Sequence, residues 1–353
     1  MERRSRAFSA LLVCIALVTM VFGVGTITAA TGRSAGDGPA GHTMTAAAMP
    51  SGDDPDGDGY IPADPPVTGV TPSGREPAPR RFHEFQSNCA VSHTAPDDPI
   101  TYPAQPGRSR DHTFLGNTSA DAHSTTASLY GGATTCRTPG DSSAYWMPSL
   151  HDGDGKILPA GPQAITYKAG VTDYTSVRPF PKGLRFVVGS PLQSAEEFRD
   201  HGGWVAGWEC GDSSHNVDIP RTCPAGTQLT LRMRAPSCWD GRYLDTPDHQ
   251  SHMAYPVVTP GTGAGVCPAS HPVALPMIEF GMAWPVDGDM SRVRLAGGRG
   301  YSFHYAFFDA WHEPTLKALV EHCVVGGLQC DARGHDRARP REGAALGPDY
   351  RLP

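Results

Sequence analysis

Beyond Phe82 the chain is built of short apolar runs separated by Gly, Pro, Asn and Asp, and several of them alternate with period two. Gln228-Leu229-Thr230-Leu231-Arg232-Met233-Arg234 puts Leu229, Leu231 and Met233 on one side, the pattern of a half-buried strand. Phe186-Val187-Val188 reads as a buried strand, and Arg292-Val293-Arg294-Leu295 alternates ahead of a hairpin or loop at 297–300. Over Tyr301–Phe308, alternation sends Ser302, His304 and Ala306 to one face and Phe303, Tyr305 and Phe307 to the other. His151-Asp152-Gly153-Asp154-Gly155 has the chemistry of a tight turn. Helical spacing is scarcer. Leu316, Leu319, Val320 and Cys323 share a face behind Pro314, and Ser194–His201 carries two acids in its first turn before Gly202-Gly203. Many short strands and few helices predict a mainly β chain. The expected fold is a single β-sandwich or jelly-roll-like domain over residues 81–330, with long loops and disulfide staples.

The flanks have a different texture. Residues 31–80 hold Gly, Ala, Asp, Pro, Ser and Thr with few large apolar side chains, which predicts a disordered linker. Within it, DPDGDGYI (54–61) imitates the start of a calcium loop. The twelfth position, where such a loop needs a bidentate carboxylate, is Pro65, and a solvated acidic segment is the simpler reading. Residues 331–353 form a polar tail expected to fray. Arg3, Arg4 and Arg6 precede an apolar stretch from Ala7 to Val24 and then Thr28-Ala29-Ala30, so residues 1–30 read as a cleaved export signal rather than a retained anchor. The expected destination is extracellular, with no membrane attachment after cleavage.

Cysteine usage agrees with export. Of nine cysteines, Cys14 lies in the signal, and the other eight (89, 136, 210, 223, 238, 267, 323 and 330) are expected to form four disulfides. A zinc site is the competing reading, but no CxxC pair occurs. Only the local closures Cys210–Cys223 and Cys323–Cys330 follow from spacing. The net charge of −7 becomes −9 once the three arginines and one glutamate of residues 1–30 are removed, and no basic stripe offsets it. Nucleic acid is therefore not an expected partner. A monomer is expected.

The densest polar cluster is CWDGRYLDTPDHQSHMAYP, residues 238–256. A helical turn opened by Pro247, with Thr246 as its cap, would place His249 and His252 on one face beside Asp248; an extended chain would separate them. Two such histidines and an acid suit proton transfer or a metal, whereas Asp240 also fits plain turn chemistry. Other candidates are His112 in RSRDHTFLGNTSADAH, Asp141 with Tyr145 and Trp146 in DSSAYWMP, and His304 with Asp309 and Trp311. Trp146, Trp239 and Tyr255 are candidates for stacking on sugar, although such aromatics more often pack a core. No metal ligand set is assigned and the cofactor stays open. A Gly-x-Ser-x-Gly elbow, a Walker loop and a dinucleotide glycine pattern are all absent.

The order FHEFQSNCAVSH, DHTFLGN, DSSAYWMPSL, GLRFVVG, CPAGTQL, SCWDG, LDTPDHQSHMAYP and HPVALP resembles the DUF1996 family of secreted actinobacterial and fungal proteins, from about Phe82 to Cys323. The resemblance implies recurrent polar positions at His112, Asp141, Tyr145, Trp146, Asp240, Asp248, His249, His252 and His304. Arg110 stands where the family often has a histidine, and His304-Tyr305-Ala306-Phe307 departs from its His-Ala-Asp-Phe. Both departures weaken a full metal-ligand set. Some fungal relatives carry sugar-binding modules, which implies work on extracellular glycans.

Three readings follow. A hydrolase or lyase would use Asp240 or Asp248 with His249 or His252 as acid and base, His112 or His304 as orienter, and Asp141, Tyr145, Trp146, Trp239 and Tyr255 against an extracellular polysaccharide. A non-catalytic wall or carbohydrate binder would use the same groups without turnover, and a structural surface protein would use them as turns and caps.

Overall fold

The alternation at Leu229–Arg234 is realised as a strand whose Leu229, Leu231 and Met233 are buried while the intervening residues are not. The computed structural model describes residues 52–161, 163–202, 206–212, 214–258 and 264–352. The expected signal and residues 31–51 of the expected linker lie outside the described residues. In chain order the main strands are β1 (Glu84–Gln86), β2 (Val91–Ala95), β3 (His112–Gly116), β4 (Ala144–Pro148), β5 (Ala164–Ala169) and β6 (Arg185–Gly189). They continue with β7 (Ala206–Cys210), β8 (Leu229–Arg234), β9 (Pro276–Trp284), β10 (His304–Phe308) and β11 (Gln329–Cys330). One sheet runs β11-β1-β5-β9-β8-β7 and the other β2-β3-β4-β10-β6, antiparallel except for the β1–β11 pair. The protein is mainly β, as expected.

The sheets share one core. Phe280 of β9 stacks on Tyr305 of β10 at 5.0 Å, and the Tyr145 hydroxyl of β4 hydrogen-bonds that of Tyr167 on β5. Their outer faces differ. β8 and β9 alternate between buried and partly exposed positions, whereas β3, β4 and β10 are buried at every residue. Phe114, Trp146 and Ala306 on that second outer face pack under Ile100 and Ala120 from connecting loops and Leu129 from the short helix Thr126–Leu129. A sheet covered on both sides has no solvent face, so its strands lack polar alternation.

The predicted helices form as Ala195–Gly202, where Ser194 and Glu197 cap each other, and as Glu313–Leu319, which continues in a π-turn over Val320–Val325. All four disulfides are present: Cys89–Cys136, Cys210–Cys223, Cys238–Cys267 and Cys323–Cys330. Among the described residues no helix is long and apolar enough to cross a membrane.

Two expectations are corrected. Residues 52–80 are not a free linker. Asp53 accepts from the Arg185 guanidinium at 2.6 Å and from the Thr126 amide at 2.7 Å, and Ile61–Pro62 pairs with Tyr243–Asp245. The tail also docks: Leu346 is fully buried, and the Tyr350 and Thr315 hydroxyls hydrogen-bond. A few long-range anchors hold each segment, and average composition conceals them.

The Arg185 side chain is only 5% exposed and lies over the Phe308 ring at 3.8 Å. Asp53→Ala leaves that cation buried without its carboxylate. The expected cost is about 3 kcal/mol, read from denaturant unfolding. A loss below about 0.5 kcal/mol, as for a surface position, would mean that the segment is not anchored.

Candidate functional site

Strand register brings two distant histidines together. His112 on β3 pairs with Ala95 and Pro148, His304 on β10 pairs with Gly189, and the Ala306–Trp146 register between β10 and the intervening β4, continued by two residues, brings His304 to the level of Pro148. Both point to the outer face, in line with Phe114 and Ala306. Two strand spacings separate their backbones by about 9.5 Å, and the rings close that gap across the intervening strand. Nε2 of His112 lies 3.1 Å from Nε2 of His304. Gly189, opposite His304, has φ 80°, and a Cβ there would come within 2.5 Å of the Phe303 carbonyl.

Asp98 completes the group. One ligand atom from each of Asp98, His112 and His304 lies within 4.8 Å of the other two, and all three residues are buried. Asp98 Oδ1 accepts from the Ile100 and Thr101 amides at 3.1 and 2.9 Å. His112 Nδ1 lies 3.1 Å from the Asp97 carbonyl, which can only accept. Nδ1 therefore carries the hydrogen, and Nε2 of the neutral ring keeps a lone pair. Burial pushes His112 down to about 4, and burial together with the His112 ring pushes His304 down to about 4. Both imidazoles are neutral at pH 7. Nδ1 of His304 is buried without a hydrogen-bond partner.

The 245–252 loop lies along the edge of β6. Val187 N donates to the His249 carbonyl at 2.9 Å, and the Gln250 amide side chain donates to the Gly189 carbonyl at 3.0 Å. The expected helical turn does not form, because His249 adopts a left-handed φ of 57°. As a result His249 and His252 go to different partners. His249 Nδ1 meets the Asp245 carboxylate at 3.0 and 3.1 Å, with the imidazole side chain 20% exposed. Burial alone would lower its pKa. The hydrogen bond and charge of Asp245, with the charges of Asp98 and Asp248, outweigh burial and hold it above the ordinary value. The pairing of Ile61 with Asp245 ties this loop to the docked amino-terminal segment.

The remaining candidates are occupied by local partners or lie buried. His252 is fully buried, donating from Nε2 to the Arg185 carbonyl at 2.8 Å and facing the Thr246 hydroxyl with Nδ1. Asp240 accepts from the Arg242 and Tyr243 amides, the turn role. Asp248 accepts from the Gln250 and Ser251 amides and from the Ser251 and Thr246 hydroxyls. Although burial opposes them, these bonds hold it at about 2, so it is not a proton donor near neutrality. Asp141 is fully buried under Ser87, Ser143 and Tyr145, and burial pushes it up to about 6 despite those donors. Tyr145, Trp146 and Trp239 lie in the core, where no sugar reaches their faces, and Trp239 donates to the Tyr243 carbonyl. Tyr255 is half-buried, its hydroxyl bonded to the Arg234 carbonyl.

Neither Asp98 nor Asp245 is among the residues that the sequence singles out. Ala-Pro-Asp-Asp-Pro gives no local sign that its second acid turns inward. The four-residue offset of Asp245 and His249 was a readable signal. Asp54, Asp56 and Asp58 also bring carboxylate oxygens within 4.8 Å of one another, with Asp54 accepting from the Gly57 and Gly59 amides.

A family model described as a domain of unknown function, DUF1996, matches residues 98–311. No curated protein and no solved structure matches. The matched span contains Asp98, His112, Asp245, His249 and His304, whereas the docked segment 52–80 precedes it.

The depressed pKa values carry a stability signature. An unfolded histidine takes up its proton near 6.5, while these two stay neutral in the fold until about 4. The stability they contribute is complete above about pH 6.5 and is lost as pH falls toward 4, by a few kcal/mol. A His112→Gln/His304→Gln double variant should lose less stability than wild type between pH 7 and pH 4.5 in urea unfolding. Equal losses would contradict neutral burial of the pair.

Proposed function

The chain belongs to the DUF1996 family, and from that premise we propose that it is an extracellular acid–base catalyst acting on cell-wall or matrix glycans, with His249 as the proton-transfer group. The observation that carries this reading is the Asp245–His249 pair. A carboxylate on Nδ1 fixes the ring, the side chain is partly exposed, and the hydrogen bond and charge of Asp245 raise its pKa above the ordinary histidine value.

The glycan assignment rests on the sequence: the expected export signal and the family resemblance. It does not use the aromatic platform first expected, since Tyr145, Trp146 and Trp239 are buried. A structural surface protein is the second reading, supported by the local backbone partners of Asp240, Asp248 and His252.

Turnover of a panel of bacterial and fungal wall polysaccharides, followed by release of reducing or unsaturated ends, separates the two. His249→Ala should lower kcat by about 10²–10⁴-fold with little change in Tm. Asp245→Asn should move the pH limb set by His249 to lower pH, because the carboxylate that raises its pKa is gone. Wild-type inactivity across the panel, or His249→Ala turning over like wild type, would leave the structural reading.

A further inference from the structure

We propose that Asp98, His112 and His304 form a binding site for one divalent transition metal ion, with zinc the best match to the donor set. The inference concerns metal retention alone and stands apart from the acid–base reading of His249.

The spacing suits such an ion. Tetrahedral coordination with Zn–N bonds of 2.0–2.1 Å separates two ligand nitrogens by about 3.3 Å. The two Nε2 atoms are 3.1 Å apart, and an Asp98 carboxylate oxygen lies within 4.8 Å of one ring nitrogen of each histidine.

The donors are also oriented for it. The Asp97 carbonyl takes the Nδ1 hydrogen of His112 and turns its Nε2 lone pair toward His304, the arrangement that backbone carbonyls give metal-binding histidines. The Ile100 and Thr101 amides hold Oδ1 of Asp98, and among the described residues no hydrogen bond reaches Oδ2. Without a cation, the Nε2 pair is a single hydrogen bond that needs a hydrogen on one ring, beside a carboxylate only 2% exposed. A buried carboxylate is costly unless paired, and a shared cation would pair it while accepting the Nε2 lone pairs of both rings.

The donor chemistry narrows the metal. Two imidazoles and one carboxylate suit zinc and neighbouring divalent transition metals, whereas calcium and magnesium prefer oxygen ligands throughout. All eight described cysteines are in disulfides, which leaves no thiolate to compete. Three protein donors are the number found in zinc sites that keep a position for water.

The test uses the untagged, chelator-treated full chain titrated with Zn²⁺ by calorimetry. Excess Ca²⁺ is present to fill oxygen-only sites such as Asp54, Asp56 and Asp58. One Zn²⁺ per chain is expected, with binding tight enough to raise Tm. His304→Gln and Asp98→Asn should each weaken it by at least about 100-fold while keeping the wild-type circular dichroism spectrum. A readout on wild type guards against a variant that fails to fold: Zn²⁺ should shift two imidazole Nε2 resonances in ¹⁵N spectra. No stoichiometric binding, binding undiminished in both folded variants, or unmoved imidazole resonances would overturn the site.

Discussion

Covering the β2-β3-β4-β10-β6 sheet on both faces is the constraint on which the rest of the molecule depends. A polar side chain on the outer face of that sheet reaches neither water nor, in most places, backbone, and so must find another side chain. Arg185 finds Asp53, recruited from more than a hundred residues away, and rests on the Phe308 ring. His112 and His304 find each other across the intervening strand. Asp309, just beyond β10, accepts from the Gly183 amide, and burial pushes its carboxyl well above the ordinary range. The loops that cover the sheet therefore also assemble its polar groups: 96–111 brings Asp98, and 246–252, with Asp245 just before it, brings His249.

The dense polar stretch at 238–256 divides its labour. Asp240, Asp248 and His252 hold the loop in shape through local bonds, and Asp248 stays ionised by accepting four of them. With the backbone fixed, His249 is placed in a left-handed conformation on β6, a position that costs strain unless its surroundings enforce it. Val187 and Asp245 supply that enforcement from two sides. Residues that look alike in composition thus separate into local supports of the loop and one carboxylate–imidazole pair, Asp245–His249.

Local pattern made much of the fold legible. The period-two run at 229–234, the face separation in β10 and the apolar stripe from Leu316 to Cys323 each report on neighbours a few residues away, and each was realised. What stayed hidden depends on register between distant strands. Nothing near His112 indicates that a residue 192 positions later shares its row. Segment 52–80 reads as disordered because its anchors, Asp53 and Ile61, are sparse and their partners lie far along the chain. The aromatic candidates failed for a related reason: Tyr145 and Trp146 alternate across a strand whose two faces are both interior.

The central claim is that one end of this sheet holds a neutral imidazole pair, His112 and His304, and a separate histidine, His249, whose pKa is raised by Asp245. A pH titration of the imidazole ¹⁵N resonances of the metal-free protein tests it most directly. The account predicts that His112 and His304 stay neutral down to about pH 4 while His249 takes up its proton above pH 6.5. All three titrating together near 6.5, as solvated histidines do, would contradict it.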